Sequence, residues 1–265
     1  MTHPTPKTCI HSTRQVVGLW LILLVGSLAV MWAFDQLSPQ LMNYLESSNP
    51  RVMYEQARDM KNQGQSNKAL SLLDQAIRLN PSDPQYLILK GDILEEQGKT
   101  ELAMESFTKA QKVGSREWLP NYRLGAALRK ANKNQEALPY LKKAALLTDK
   151  ERWVFDNLGW AAYDTGDYQT AYEAFGKAYS IMPESPVYPL MLGKIDAVQG
   201  RWDEALSLYK KSLSLDNAKS ETYAAAGDAA VKLGLTGEAR QYYQQSLKLN
   251  PKQPMVEKAL KELSL

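Results

Sequence analysis

Cysteine and histidine are almost absent from this chain, which has one cysteine and two histidines among its 265 residues. All three lie near the amino terminus, as Cys9, His3 and His11. The rest of the chain therefore cannot form a disulfide, a zinc site of cysteine and histidine ligands, or a nucleophile activated by histidine. Glycine-rich phosphate loops and acidic clusters with metal-ligand spacing are missing too. These absences predict a protein that is not an enzyme, with no cofactor, no metal and no small-molecule substrate.

A concentration of charge of one sign is also missing. The chain has 32 lysines and arginines against 29 acidic residues, and the basic residues are spread along its length. Nucleic-acid binding normally needs a concentrated basic face, so we expect no nucleic-acid partner. The composition, 44% hydrophobic and 23% charged, is typical of a folded chain.

A repeat dominates the chain. Residues 50–253 divide into six consecutive periods of 34 residues without insertion or deletion. The periods begin at Pro50, Pro84, Trp118, Arg152, Pro186 and Ser220. The twentieth residue of every period is alanine, and the eighth and the twenty-seventh are always small. We expect these small residues where two helices touch.

Large apolar residues recur in the same phase. The twenty-fourth position holds Leu73, Phe107, Leu141, Phe175, Tyr209 and Tyr243. The thirtieth position holds Leu79, Val113, Leu147, Ile181, Leu215 and Leu249. We expect both sets to fill the space that the small residues leave.

Each period is predicted to form two helices. The fifteenth residue is glycine in five periods and Asn132 in the other, which suits a left-handed residue that ends the first helix. Pro81, Pro183 and Pro251 stop the second helix or start the next one in three periods. The unit is therefore a helix, a tight turn and a second helix.

A 34-residue helical hairpin with this alternation of small and large residues resembles the tetratricopeptide repeat, and the resemblance covers residues 50–253. It implies an all-α fold, a right-handed superhelical solenoid of six helix-turn-helix repeats. Repeat three departs most from the family pattern, because Asn121 replaces the usual first-helix aromatic residue and Pro139 lies inside the second helix. Proline removes a backbone donor and can bend a helix. We therefore expect repeat three to pack less regularly.

The resemblance also implies a groove. In this family the first helices line a groove that binds other proteins, and the second, fifth, ninth, twelfth and thirteenth residues of each unit face it. At these positions charge alternates in sign over the first repeats, and repeats three to five add aromatic and apolar residues. Interface hot spots favour such side chains. The candidate partner-binding residues are Tyr122, Arg129, Trp153, Asp156, Trp160, Tyr163, Leu190 and Lys194.

Two alternatives limit this prediction. The aromatic rings could pack between neighbouring first helices and only fill the solenoid. Some family members also bind acidic carboxy-terminal peptides through a clamp of lysine and asparagine. The matching positions here, such as Tyr54 with Arg58 or Ile88 with Asp92, lack that pair. The resemblance therefore does not imply binding of such peptides by this chain.

An uncharged apolar run precedes the repeats, at residues 16–34. A helix of this length, at about 1.5 Å per residue, spans about 28 Å of a hydrocarbon core of about 30 Å. A buried helix is a poor alternative, because a solenoid offers no pocket for it. A cleavable signal peptide is a stronger one, but the run is long and Met31, Trp32 and Phe34 crowd the cleavage point. The sequence favours an uncleaved transmembrane signal anchor.

The flanks of this run predict its orientation. Residues 1–15 contain Lys7 and Arg14 and no acidic residue, whereas Asp35 and Glu46 follow the run. The positive side stays in the cytoplasm. We therefore expect a single-pass protein of the bacterial inner membrane, with a cytoplasmic amino-terminal tail and periplasmic repeats. The opposite topology would direct the repeats to cytosolic clients.

Two short segments flank the array. The connector at residues 35–49 could rest on the membrane interface or cover the exposed end of repeat one. Residues 254–265 carry Val256, Ala259, Leu260 and Leu263 at helical spacing, which predicts the amphipathic capping helix that a solenoid needs.

The predicted function follows from these parts. The chain resembles the signal-anchored tetratricopeptide proteins of bacterial inner membranes, which implies a scaffold or assembly adaptor for envelope or membrane-complex proteins. The alternative is a permanent structural subunit of a large membrane complex of secretion, pilus, polysaccharide or respiratory type. An enzyme, or a regulatory subunit of one, is the weakest hypothesis.

Overall fold

The computed structural model of the protein describes residues 48–263. Regular secondary structure within that range is entirely helical, which confirms the predicted all-α fold. No helix of the described range is long and apolar enough to cross a membrane. The predicted tail (1–15), the predicted anchor (16–34) and all but the last two residues of the connector lie outside the described residues.

Thirteen helices follow one another in residues 48–263. They are α1 (Pro50–Asn62), α2 (Ser66–Leu79), α3 (Pro84–Glu96), α4 (Thr100–Val113), α5 (Trp118–Lys130), α6 (Asn134–Leu147), α7 (Arg152–Asp164), α8 (Tyr168–Ile181), α9 (Val187–Val198), α10 (Trp202–Leu215), α11 (Ser220–Lys232), α12 (Thr236–Leu249) and α13 (Pro254–Glu262). Six helical hairpins, α1/α2 to α11/α12, thus follow the 34-residue spacing of a tetratricopeptide-like solenoid.

The chain divides into two compact units, Met1–Leu79 and Asn80–Leu265. The described part of the first unit is the hairpin of α1 and α2. Pro50 opens α1, and the Asn49 side chain caps it by accepting from the Arg51 amide at 2.9 Å. Ala57 and Leu73 are fully buried in this hairpin.

The turn inside each hairpin has the predicted left-handed residue. Its φ lies between 73° and 78° at the five glycines and is 59° at Asn132. At Gly98 this geometry lets the Gly98 and Lys99 amides donate back to the carbonyls of Glu95 and Leu94, both at 2.9 Å. These bonds satisfy carbonyl groups at the end of the first helix. The prediction from the fifteenth residue is confirmed.

The small residues and the large twenty-fourth residues meet as predicted. A Cβ atom added to Gly91 would lie 2.4 Å from the Phe107 ring, and one added to Gly159 would lie 2.7 Å from the Phe175 ring. The twentieth residues are all buried, with at most 1% of their surface exposed. In repeats two to six the first helix therefore approaches its second helix so closely that only the hydrogen atom of a glycine fits between the backbone and the large side chain.

The expectation for the thirtieth residues is wrong. Each is the last residue of a second helix, where the chain turns toward the next repeat. Five of the six are more than a third exposed, from Ile181 at 37% to Leu79 at 57%, and Leu215 is half-buried.

Repeat three keeps the same helix lengths despite its unusual residues. α6 continues through Pro139 to Leu147. Asn121 is fully buried, and its amide nitrogen donates to the carbonyls of Ser115 at 3.1 Å and Glu117 at 2.6 Å. Its amide oxygen accepts from Gln111 at 3.2 Å. The asparagine thus holds the α4–α5 loop instead of filling space as an aromatic ring would.

Within Asn80–Leu265 the hairpins stack in order. The second helices α4, α6, α8 and α10 each pack against the first helix of their own repeat and the first helix of the next. First helices lie side by side in repeats two to four and again in repeats five and six, but α7 and α9 contact each other less extensively. We call the surface that these first helices form the first-helix face, and the opposite one the second-helix face.

The last helix, α13, packs on α12. Val256, Ala259 and Leu260 are its half-buried residues, whereas Met255 is 80% exposed. The Arg240 guanidinium donates to the Leu263 carbonyl at 2.7 Å.

Candidate functional site

Ion pairs tie together the first helices of repeats two and three. The Arg123 guanidinium lies 3.2 Å from the Asp92 carboxylate, and the Lys130 ammonium lies 3.0 Å from the Glu95 carboxylate. Opposite charges of neighbouring first helices thus pair with each other inside this chain.

Two predicted site residues, Arg129 and Asp156, are held by contacts inside the chain. The Arg129 Nε donates to the Asn157 side chain at 2.8 Å. The Arg152 guanidinium donates to Asp156 at 2.9 Å and to the Tyr188 hydroxyl at 3.0 Å. Burial raises the pKa of Asp156, although Arg152 and the Tyr188 hydrogen bond favour the carboxylate. These groups fix α5, α7 and α9 relative to one another.

Tyr122 and Trp153 stand apart from the cavities described below. Tyr122 is half-buried beside Trp118, with 6.3 Å between ring centroids, and burial raises its pKa. Trp153 is 47% exposed at the start of α7. Neither lines the cavities of the first-helix face.

Trp160 and Tyr163 form an aromatic cluster on α7. Trp160 packs edge to face on Phe175 at 5.5 Å and contacts Tyr163 at 6.4 Å. Tyr163 also contacts Tyr168, at 5.7 Å. Trp160 and Tyr163 are both half-buried, so one side of each ring packs on the chain and the other remains open.

Trp160 lines a cavity of about 280 Å³, which we call the Trp160 cavity. Its lining consists of Trp160, Pro186, Val187, Leu190, Met191, Lys194, Ser212, Lys219, Glu221 and Thr222. It therefore brings together three predicted site residues, Trp160, Leu190 and Lys194.

Tyr163 lines a second cavity, of about 580 Å³, which we call the Trp202 cavity. Its lining consists of Tyr163, Lys194, Ala197, Val198, Trp202, Tyr209, Ala225, Asp228, Val231, Lys232 and Tyr243. Lys194 lines both cavities and forms an ion pair with Glu221, so the two openings adjoin along α9.

Several of these residues were not predicted. Glu221, Asp228, Val231 and Lys232 hold the second, ninth, twelfth and thirteenth positions of repeat six, so the pattern used for repeats one to five could have identified them. The repeat pattern does not identify Trp202 of α10 as a site residue, because tetratricopeptide repeats usually have an aromatic packing residue at this position.

Polar and charged side chains of the Trp202 cavity contact one another and its aromatic rings. The Tyr243 hydroxyl donates to Asp228 at 2.7 Å, and burial raises the pKa of both Tyr209 and Tyr243, which keeps them protonated. The Lys232 ammonium lies 5.8 Å from the Trp202 ring centroid, a cation–π contact. Residues 48–263 contain no group of three histidine, cysteine or acidic residues that could hold a metal. The result is an aromatic and apolar hollow with lysines at its rim.

Comparison with known proteins identifies the repeats. The chain is 21% identical over 220 residues to the TPR repeat-containing protein YpiA of Bacillus subtilis, which is 69% of this chain and 52% of that protein. The chain thus spans about half the length of YpiA.

Solved structures share the fold. YrrB, described as a TPR protein with an unusual peptide-binding site, superposes with a TM-score of 0.66 at 20% identity over 73% of this chain and 98% of that one. PilW, described as a type IV pilus biogenesis factor, superposes with a TM-score of 0.57 at 17% identity over 82% and 98%.

Models of the tetratricopeptide repeat match residues 54–117, 154–185 and 196–263. Helices α5 and α6, between the first two matches, continue the same spacing. This chain contains tetratricopeptide repeats.

Proposed function

We propose that this chain is a non-enzymatic protein-interaction scaffold that binds a segment of another protein on the first-helix face of repeats four to six. One observation carries the proposal: the Trp160 and Trp202 cavities adjoin and share Lys194. Two neighbouring hollows suit two side chains of one bound segment. A small-molecule site would instead enclose its ligand in a single pocket.

The lining indicates what the segment contains. Trp160, Leu190 and Val198 offer apolar surface, so we expect apolar or aromatic anchors. Lys232 stands over Trp202, and the one carboxylate of that cavity, on Asp228, already accepts from Tyr243. A carboxylate beside the anchors would meet this lysine.

A photo-crosslinking residue at Val198 tests the binding site. Val198 is 54% exposed and lines the Trp202 cavity, so the probe should leave the fold intact. The control position is Lys211, which is exposed on the second helix α10. We expect a discrete adduct in the native host from position 198 alone, weakened by Lys232→Glu but not by Lys248→Glu on α12. Equal adducts from both positions, or none from position 198, would contradict the proposal.

We propose further that residues 16–34 anchor the chain in a bacterial inner membrane, with the repeats in the periplasm. The uncharged apolar run and the basic tail before it support this. In that location the scaffold would serve assembly of envelope complexes, and the description of PilW as a pilus biogenesis factor is consistent with such a role. The alternative is a permanent subunit of such a complex, which would remain in a stoichiometric assembly after gentle solubilisation instead of running mostly alone.

The single cysteine makes topology measurable. Cys9→Ser leaves a chain without thiols, and Lys248→Cys then adds one on the exposed surface of α12. A membrane-impermeant maleimide should label this thiol in intact spheroplasts. Labelling only after lysis would place the repeats in the cytoplasm.

A further inference from the structure

A leucine on the second-helix face breaks the pattern of the repeat. Leu146 occupies the twenty-ninth position and is 87% exposed. The other five repeats have a polar residue there, namely Arg78, Lys112, Ser180, Ser214 and Lys248. A leucine contributes little to folding at a position this exposed, and it is informative only where further apolar surface adjoins it.

A crevice of about 350 Å³ lies beside Leu146, between α6 and α8 and above α7. Leu146, Ala145, Phe155, Leu158 and Ala174 form its apolar part, and Thr170 also lines it. Two residues that are smaller than their counterparts in most other repeats leave room for this crevice. Ala145 holds the twenty-eighth position, where the other repeats have Ile77, Gln111, Tyr179, Leu213 and Leu247. Ala174 holds the twenty-third, which is large in four of the other five, namely Leu72, Tyr140, Leu208 and Tyr242.

The rim of the crevice carries both signs of charge. Lys142 is held by Asp167 at 2.9 Å. Glu173 accepts from the Gln169 amide at 2.6 Å. Among the described residues, neither Glu173 nor Lys177 has an ion-pair partner. A strongly acidic or basic partner would need a rim of one sign, whereas a mixed rim is complementary to itself.

We propose that a second copy of this chain covers this surface through a two-fold contact. We define the Leu146 patch as Leu146, its crevice and the rim residues Glu173 and Lys177. The patch contains both a protruding side chain, Leu146, and a crevice that can receive one. A two-fold axis brings the same patch of both copies together. Leu146 of each copy then enters the crevice of the other, and Lys177 of each copy meets Glu173 of the other.

The patch is small, so the contact is weak and reversible. Two leucines, one from each copy, and two ion pairs per symmetric contact fall at the low end of specific interfaces. Association therefore depends on concentration. Because the patch lies on the second-helix face, the contact leaves both cavities of the first-helix face open. A test of this contact is therefore independent of a test of the proposed function.

Sedimentation equilibrium of the full chain, in the same mild detergent throughout, tests the contact. We expect the average mass to rise from monomer to dimer with concentration. Leu146→Arg, which copies Arg78 at the same position of repeat one, should weaken association by about tenfold or more. Leu102→Arg is the matched control, because Leu102 is a half-exposed leucine on α4. A chain that stays monomeric, or dimers that respond equally to both variants, would overturn the proposal.

Charge reversal identifies the pairing between copies. Lys177→Glu alone places glutamate opposite Glu173 twice in a dimer, and Glu173→Lys alone places lysine opposite Lys177 twice, so each variant should associate poorly. Mixing the two variants restores an attractive pair at both contacts and should restore the dimer. A mixture no more associated than its components would show that these residues do not meet across a two-fold axis.

Discussion

At the scale of single residues, the packing of repeats two to six depends on a contact between a glycine and a large side chain. Gly91, Gly125, Gly159, Gly193 and Gly227 each lie where an added Cβ would come within 3 Å of the large side chain at the twenty-fourth position. The rings of Phe175 and Tyr243 have almost no exposed surface. They cannot move aside, so the absence of a side chain at each glycine is a packing requirement.

Gly159→Ala should lower the stability of the array by about 1–3 kcal/mol, because the new methyl group overpacks against Phe175. Gly176→Ala is the matched control, since a Cβ there meets nothing within 4 Å and alanine favours a helix by about 1 kcal/mol over glycine. Urea unfolding followed by circular dichroism measures both. Equal effects would contradict the close contact at Gly159.

The two tryptophans of α7 should behave differently. Trp160 packs on the buried ring of Phe175, so Trp160→Ala should cost about 2 kcal/mol, less than the roughly 3–5 kcal/mol of a fully buried ring. Trp153 is 47% exposed, and Trp153→Ala should change stability by about 0.5 kcal/mol or less. Thermal unfolding separates these outcomes. Similar losses for both would mean that Trp153 also packs in the core.

Sequence predicted best the residues whose role recurs in every unit. The alanine at position twenty, the left-handed residue at fifteen and the large residue at twenty-four obey the same packing constraint in each repeat. The thirtieth residues were misassigned because apolarity alone does not reveal that a residue ends its helix. The Trp202 cavity cannot be predicted in this way, because it lies mainly between α9 and α11 and depends on how two neighbouring repeats pack, which no single repeat encodes.

At the scale of elements, α13 covers part of the last hairpin. The Gln253 side-chain nitrogen donates to the Ser246 carbonyl at 3.0 Å, and the Arg240 guanidinium donates to the Leu263 carbonyl at 2.7 Å. The helix buries none of its residues completely but half-buries its apolar side. A terminal unit with one apolar and one polar side is what a stack of repeats needs at its end.

Ending the chain at Gln253 should expose the apolar surface of α12, lower the unfolding temperature and promote aggregation. The control ends at Leu263, which keeps α13 and the contact with Arg240. Light scattering during a thermal ramp reports both changes. A truncated chain as soluble and as stable as the control would rule out a capping role.

At the scale of the whole molecule, the unit Asn80–Leu265 is stabilised by contacts between neighbours. Each second helix packs only on the first helices of its own and the next repeat, apart from α12, which packs on α11 and α13. Stability in such an array is roughly a sum of repeat and interface contributions. Damage in one repeat should therefore remain local. The two cavities need α11, which supplies Thr222 and Lys232, so we expect the proposed binding to depend on the last repeats more than on repeats two and three.

Gly227→Ala tests this locality, because its Cβ would lie 2.5 Å from the Tyr243 ring. We expect faster amide hydrogen exchange in α11 to α13 and unchanged protection in α3 to α6, since those repeats keep all their neighbours. Crosslinking from Val198 should fall at the same time, because the wall of the Trp202 cavity that α11 provides is lost. Gly237→Ala is the control, since a Cβ there meets nothing within 4 Å. If Gly227→Ala instead accelerated exchange uniformly from α3 to α13, the unit would unfold as one cooperative body, and binding would depend on all its repeats equally.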